Sequence, residues 1–189
     1  MKNIILINGA PGAGKSTIAR LVAQQLEASQ LIGTDVIREV MRRLDIDKKF
    51  THIHTSSVLL SESGFDSTDH VALFLEQARQ VMIGVNSVIE RCISEDKSCV
   101  IEGIHLVPQL LKGFQHLQIK KFVLYVGDER DHHNRLAKQE AGRAINKVGR
   151  FDVIRKIQDF LVNDAKQYGV SCLENIDMRG TVDKILSLY

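Results

Sequence analysis

Ile4-Ile5-Leu6-Ile7 is an unbroken aliphatic run that stops at a glycine-rich turn, the pattern of a parallel strand covered on both faces. Ile18, Leu21, Val22 and Leu26 then recur at helical spacing, which predicts an amphipathic helix from Lys15 to about Leu26. Leu31-Ile32 reads as a weak second strand. Thr34 follows it as an expected N-cap hydroxyl for a short helix whose apolar face is Ile37, Val40, Met41 and Leu44. From Lys48 to Asp69, a stretch rich in Ser, Thr and His, no period is visible, so a long loop is expected there, and such loops are often functional. A long helix from His70 to Glu95 carries Phe74, Ala78, Val81, Met82, Val85, Ile89 and Cys92 on one face. Cys99-Val100-Ile101 and Phe122 to Val126 read as further strands, with a helix near Val107 to Leu111 between them, and Val170 to Leu173 is a candidate last strand.

Strands alternating with helices imply βαβ crossovers. The expected fold is α/β, a parallel sheet with helices on both faces and ligands at the carboxyl ends of the strands. With two prolines, no repeat and no low-complexity tract, residues 1–189 read as one domain.

Composition narrows the function classes. Twenty-five basic residues against 23 acidic ones leave a net charge of +2, too balanced for a general nucleic-acid binder. Aromatics are 5% and tryptophan is absent, so base-stacking surfaces are scarce and small-molecule chemistry is favoured. Cys92, Cys99 and Cys172 are odd in number and set among apolar residues, which fits reduced core thiols. The apolar run after Met1-Lys2-Asn3 is too short for a signal peptide and nothing approaches a membrane span, so a cytoplasmic protein with no membrane partner is expected. No feature sets an oligomeric state.

The chemistry centres on Gly9-Ala10-Pro11-Gly12-Ala13-Gly14-Lys15-Ser16, followed by Thr17. Chance supplies about 0.006 matches to this Gly-x4-Gly-Lys-Ser/Thr spacing in a chain of such composition, and here it lies between a buried strand and a helix start. Glycines let the backbone curl so that its N–H groups converge on phosphate oxygens. Lys15 reaches the β- and γ-phosphates, Ser16 offers a hydroxyl to Mg²⁺, and the helix dipole favours the anion. The fold is therefore expected to be that of the P-loop NTPases, with ATP and Mg²⁺ bound and the γ-phosphoryl group passed to a small molecule.

A GTPase would need an Asn/Thr-Lys-x-Asp motif, and Asn146-Lys147-Val148-Gly149 lacks the aspartate. The Asp-x-x-Gly from Asp177 to Gly180 follows the last candidate strand, where it cannot serve as a γ-phosphate switch; a nucleotide-hydrolysing switch is thus the weaker alternative. Asp35, just after the second strand, is the first choice of base for the acceptor hydroxyl. Glu102 ends a strand at the same sheet edge and is a candidate to hold Mg²⁺ through water. Arg38 and Arg42, four residues apart, share a helix side and form a candidate clamp for an anionic acceptor, whereas Arg43 falls elsewhere. Asp128 to Arg143 holds Arg130, Arg135, Lys138 and Arg143 with no strong apolar stripe, and reads as a helical lid over approximately 128–148 whose arginines, Arg130 and Arg135 foremost, approach the transferring group. His132-His133 does not suit a metal, because adjacent helical residues diverge by about 100°. His105 lies close enough to Glu102 to line the acceptor pocket.

Beyond the phosphate loop the chain resembles the 2-phosphoglycerate kinase family. The resemblance lies in Thr34 to Arg42, His54-Thr55-Ser56-Ser57, Ile101 to Pro108, Asp128-Glu129 with His132 and Arg135, and Ile154 to Gln158 with Leu161-Val162. It implies 2-phosphoglycerate as acceptor, with Thr55, Ser56 and Ser57 as neutral donors to it. Lys138 stands where the family pattern favours arginine, and Val58 replaces an aromatic residue. On this resemblance the chain is expected to start directly at the kinase domain, without the additional N-terminal regulatory region of longer members. A kinase of another small metabolite or nucleotide is the alternative that shares the fold.

Overall fold

Five parallel strands in the order β2-β3-β1-β4-β5 build the sheet: β1 Ile4–Gly9, β2 Gln30–Gly33, β3 Cys99–Glu102, β4 Ile119–Tyr125 and β5 Ser171–Glu174. The structure is a computed structural model describing residues 3–62, 64, 69–114, 119–140 and 148–188. The helices are α1 Lys15–Gln25, α2 Thr34–Leu44, α3 His70–Ser94, α4 Glu129–Glu140, α5 Phe151–Gln167 and α6 Met178–Ser187.

All six residues of β1 are buried, and their alternation divides the core. Ile4 and Leu6 join Ile101 beneath α3, while Ile5 and Ile7 join Val100, Phe122 and Leu124 beneath α1 and α6. A strand whose successive side chains point to opposite faces must be apolar throughout when helices cover both. The long face expected for α3 is buried as a whole, from Phe74 to Cys92, and Asp69 caps that helix by accepting from the amides of Val71 and Ala72.

Several expectations need correction. Thr34 does not cap α2: Gly33 occupies the cap position, and the Thr34 hydroxyl bonds instead to His105 Nδ1 at 2.9 Å. The apolar stripe of α2 is only half used. Ile37 and Met41 pack on the core, whereas Val40 and Leu44 are 55% and 74% exposed, because α2 lies at the sheet edge and meets α3 along a single line. Gly84 of α3 makes that line possible, since a Cβ there would come within 2.6 Å of Ile37 Cγ2 and 3.0 Å of Met41 Sδ. The helix expected near Val107 is one 3-10 turn, Pro108–Leu111. Within the expected long loop, Ile53, Val58 and Leu60 are buried. Helices α5 and α6 did not emerge from the apolar spacing considered above; α5 covers Val123 with Val153, Ile157 and Leu161.

No described helix is long and apolar enough to cross a membrane. The three cysteines are free thiols, and burial holds Cys99 and Cys172 above the ordinary thiol range, in the unreactive protonated form.

Candidate active site

The carboxyl ends of β1, β2 and β3 deliver the site. Register pairs Ile7 of β1 and Gly33 of β2 with Glu102 of β3, so the phosphate loop, the start of α2 and the Glu102 carboxylate meet at one edge. Lys15 Nζ donates to the Ala10 carbonyl at 3.0 Å. Ser16 Oγ donates to Glu102 Oε1 at 3.0 Å. Beneath the loop Asn8 is buried, its side-chain amide on the Leu106 carbonyl.

Asp35 is 77% exposed at the first turn of α2, with Oδ1 3.9 Å from Arg38 Nε. Arg38 is largely covered. One of its terminal nitrogens donates to the carbonyls of Ile53 and Thr55, while its Nε is buried without a hydrogen-bond partner. The two arginines of the expected clamp differ: Arg42 is taken by Glu39 in a two-point pair, which holds the Glu39 carboxyl down at about 2.

Segment 51–57 is laced to its surroundings through its backbone. Gln77, fully buried in α3, donates to the carbonyls of His52 and Thr55 and accepts from the Ser57 hydroxyl. The Ser56 carbonyl closes a turn with Leu59. Asp45 accepts from the amides of Lys49 and Phe50 and from His54 Nε2. Burial pushes its carboxyl up, but these bonds outweigh it and leave the group below its usual range.

His105 supports this segment from behind and has no exposed surface. Its Nε2 faces Gln77 Oε1 at 3.3 Å and its Nδ1 faces Thr34, which suits the neutral ring with the proton on Nε2. Burial, aided by Arg38 and Lys15 and opposed by Asp35, lowers its pKa to about 4.

On the other side of the phosphate loop a cavity of about 700 Å³ is bounded by Gly12, Lys15, Thr17, Arg135, Lys138 and Met178. Arg135 spans α4 and the turn after β5, donating to the carbonyls of Asn175 and Ile176 and pairing with Asp131 at 2.6 Å. Arg130 is exposed at the start of α4. Arg143 lies outside the described residues, as does 141–147 of the expected lid.

Sequence reasoning gave no role to His132, Asn175 or Arg155, although the resemblance runs through His132 and Arg155. His132 is fully buried and donates from Nε2 to the Pro11 carbonyl at 2.8 Å, while Arg155 approaches its Nδ1 at 3.4 Å. Burial lowers its pKa; the Pro11 bond opposes this and the charges of Arg155, Arg135 and Lys15 add to it. Asn175, 2% exposed, donates to the Ala13 carbonyl at 2.9 Å. Both partners are backbone atoms more than a hundred residues away, and no local spacing signals such a contact.

The donor set suits a magnesium ion. No group of three or more His, Cys, Asp or Glu side chains that could hold a metal occurs among the described residues, and one hydroxyl with one carboxylate beside a phosphate loop is the set for an ion that keeps waters and phosphates as its other ligands.

Comparison with known proteins follows this geometry. Residues 1–83 match the Zeta toxin family model. The chain is 34% identical over 97% of its length to the 2-phosphoglycerate kinase of Methanopyrus kandleri, covering 59% of that protein. It is 37% identical, again over 97%, to the enzymes of the same name from Methanothermobacter thermautotrophicus and Pyrococcus horikoshii, covering 64% and 62% of them. Its sequence relatives are 2-phosphoglycerate kinases. The chain spans about three fifths of the length of these relatives. Among solved structures, shikimate kinase from Acinetobacter baumannii in complex with shikimate superposes with a TM-score of 0.61 at 17% identity, over 100% of this chain and 93% of that one. A gluconokinase from Sinorhizobium meliloti gives 0.57 at 14%, over 98% and 90%. The fold is therefore that of the P-loop small-molecule kinases, an α/β parallel sheet flanked by helices.

Proposed function

We propose that this chain is a magnesium-dependent ATP phosphotransferase whose acceptor is 2-phosphoglycerate, converted at its free hydroxyl to 2,3-bisphosphoglycerate. The observation that carries the reading is the 3.0 Å bond from Ser16 to Glu102. It joins the phosphate-loop hydroxyl to a carboxylate from the neighbouring strand, at the edge where Asp35 also stands. Ser16 and Glu102 would hold a magnesium ion, which would supply positive charge against the nucleotide's phosphate oxygens.

Asp35 takes or orients the proton of the acceptor hydroxyl as that oxygen bonds to the γ-phosphorus and the bond to the bridging oxygen of ADP breaks. Lys15 holds the phosphate oxygens as charge shifts among them. Arg38 lends its charge to the acceptor, which needs cations because it carries both a phosphate and a carboxylate. Thr55 and Ser56 are the proposed neutral donors to the acceptor, with Ser57 contributing once its hydroxyl leaves Gln77. Arg130 and Arg135 stand on α4, the described part of the proposed lid over a single domain. The names of the relatives support the acceptor, and the free thiols support a cytoplasmic setting.

The test is an acceptor panel of 2-phosphoglycerate, 3-phosphoglycerate, glycerate, shikimate and nucleoside monophosphates, incubated with purified protein, ATP and Mg²⁺ and read by product mass. The expected product is 2,3-bisphosphoglycerate with ADP. Phosphorylation of another member with 2-phosphoglycerate inert would keep the kinase and overturn the acceptor.

A further inference from the structure

Two of the loop's peptide units are gripped from outside. The Pro11 carbonyl is held by His132 of α4 at 2.8 Å, and the Ala13 carbonyl by Asn175, just after β5, at 2.9 Å. In a trans peptide the C=O and the following N–H point in opposite directions, and no described peptide is cis. Holding the Pro11 oxygen toward α4 therefore turns the Gly12 N–H the other way, and holding the Ala13 oxygen toward Asn175 does the same for Gly14.

Each grip is fixed in its chemistry. A carbonyl only accepts, so His132 Nε2 carries the proton, and its Nδ1 is left to accept from Arg155. The ring is further set edge-on against Phe151, with centroids 5.4 Å apart. Asn175 Oδ1 lies 3.0 Å from the Thr181 hydroxyl, and because the Ala13 carbonyl only accepts, a flipped amide would set one oxygen against another. Both side chains sit so close that the loop has no room for a Cβ. At Gly12 a Cβ would lie 2.9 Å from His132 Cδ2, and at Gly14 it would run into the Asn175 amide. Gly12 falls at a position that the Gly-x4-Gly-Lys spacing leaves open, and two things call for glycine there: its left-handed φ of +81° and the close His132 ring.

We infer that His132 and Asn175 are positioning residues for the phosphate loop, which aim the Gly12 and Gly14 amides at the nucleotide's phosphates without touching them. This rests on the nucleotide-binding reading above. Preorganised amides bind an anion without first reorienting. Loss of a grip should therefore weaken nucleotide binding while leaving the acceptor side alone.

The experiment uses the full chain with Mg²⁺ and the non-hydrolysable analogue adenylyl imidodiphosphate, titrated calorimetrically. His132→Gln keeps a donor near the position of Nε2. His132→Leu and His132→Asn do not reach it. Native protein should bind the analogue, Leu and Asn variants should bind about tenfold or more weakly, and Gln should stay within about threefold. Asn175→Ala should weaken binding similarly, and the KM for the acceptor should move less than that for ATP in every variant. Melting temperatures separate this from packing: equal losses in Gln and Leu variants, following their melting temperatures, would overturn the inference, as would native affinity in His132→Leu. Failure of the native protein to bind the analogue would overturn the nucleotide reading and this inference with it.

Discussion

Arg38 Nε lies 3.9 Å from Oδ1 of Asp35, buried and without a hydrogen-bond partner, while the carboxylate it faces is 77% exposed. A fixed, desolvated cation beside an exposed carboxylate is an arrangement suited to an anionic ligand, because the guanidinium has already lost most of its water and two carbonyls hold it in place.

Arg38→Ala should therefore raise the acceptor KM by about 10- to 100-fold, the worth of a charge-assisted hydrogen bond to a desolvated anion. The ATP KM should change far less. The unfolding midpoint should fall as well, since the Ile53 carbonyl loses the Arg38 donor and the Thr55 carbonyl keeps only Gln77. Steady-state kinetics with each substrate varied in turn checks the split; equal rises in both constants would count against an acceptor contact.

Asp35→Asn should lower kcat by about 10²- to 10⁴-fold, the usual worth of a positioned general base. Because the side chain is mostly in solvent, stability should shift by no more than about 0.5 kcal/mol. Thermal melts beside the kinetic assay distinguish the two.

Glu102→Gln should weaken magnesium dependence more than nucleotide binding. A carboxylate that shares a cation with Ser16 contributes charge that an amide does not supply. Part of the lost rate should return when Mg²⁺ is raised well above its normal saturating level. A rate indifferent to Mg²⁺ would mark Glu102 as a structural partner of Ser16 alone.

His105 should make stability fall as the medium turns acid. Its folded-state pKa, about 4, lies below the ordinary value near 6.5, so the unfolded chain takes up a proton that the folded one refuses. The stabilisation is whole above pH of about 6.5 and is lost progressively down to about 4, with a slope approaching about 1.4 kcal/mol per pH unit. Urea midpoints for native protein and His105→Asn, compared across this window, should show a flatter pH dependence in the variant.

The sequence made legible those parts of the fold whose cause is local. β1 and α3 are set by runs and periods within their own residues, and the phosphate loop by eight consecutive positions. Asp35 and Glu102 could be placed because the first closely follows a strand and the second ends one. What stayed hidden depends on distant partners. Thr34 looks like a helix cap until His105, 71 positions later, takes its hydroxyl. Arg42 looks like half of a clamp, yet Glu39 one turn before it engages it first. His132 and Asn175 act on backbone atoms, and backbone atoms carry no sequence signal.

Gly84 bears on how such a kinase diverges. The helix that presents Asp35 and Arg38 rests on bare backbone there, so a methyl group gained at that position crowds Ile37 and Met41 and shifts α2, with Asp35 and Arg38, against α3. If these two residues face the acceptor as proposed, its fit can drift through a position that meets no ligand, and a comparison of homologues confined to their binding pockets would overlook the change.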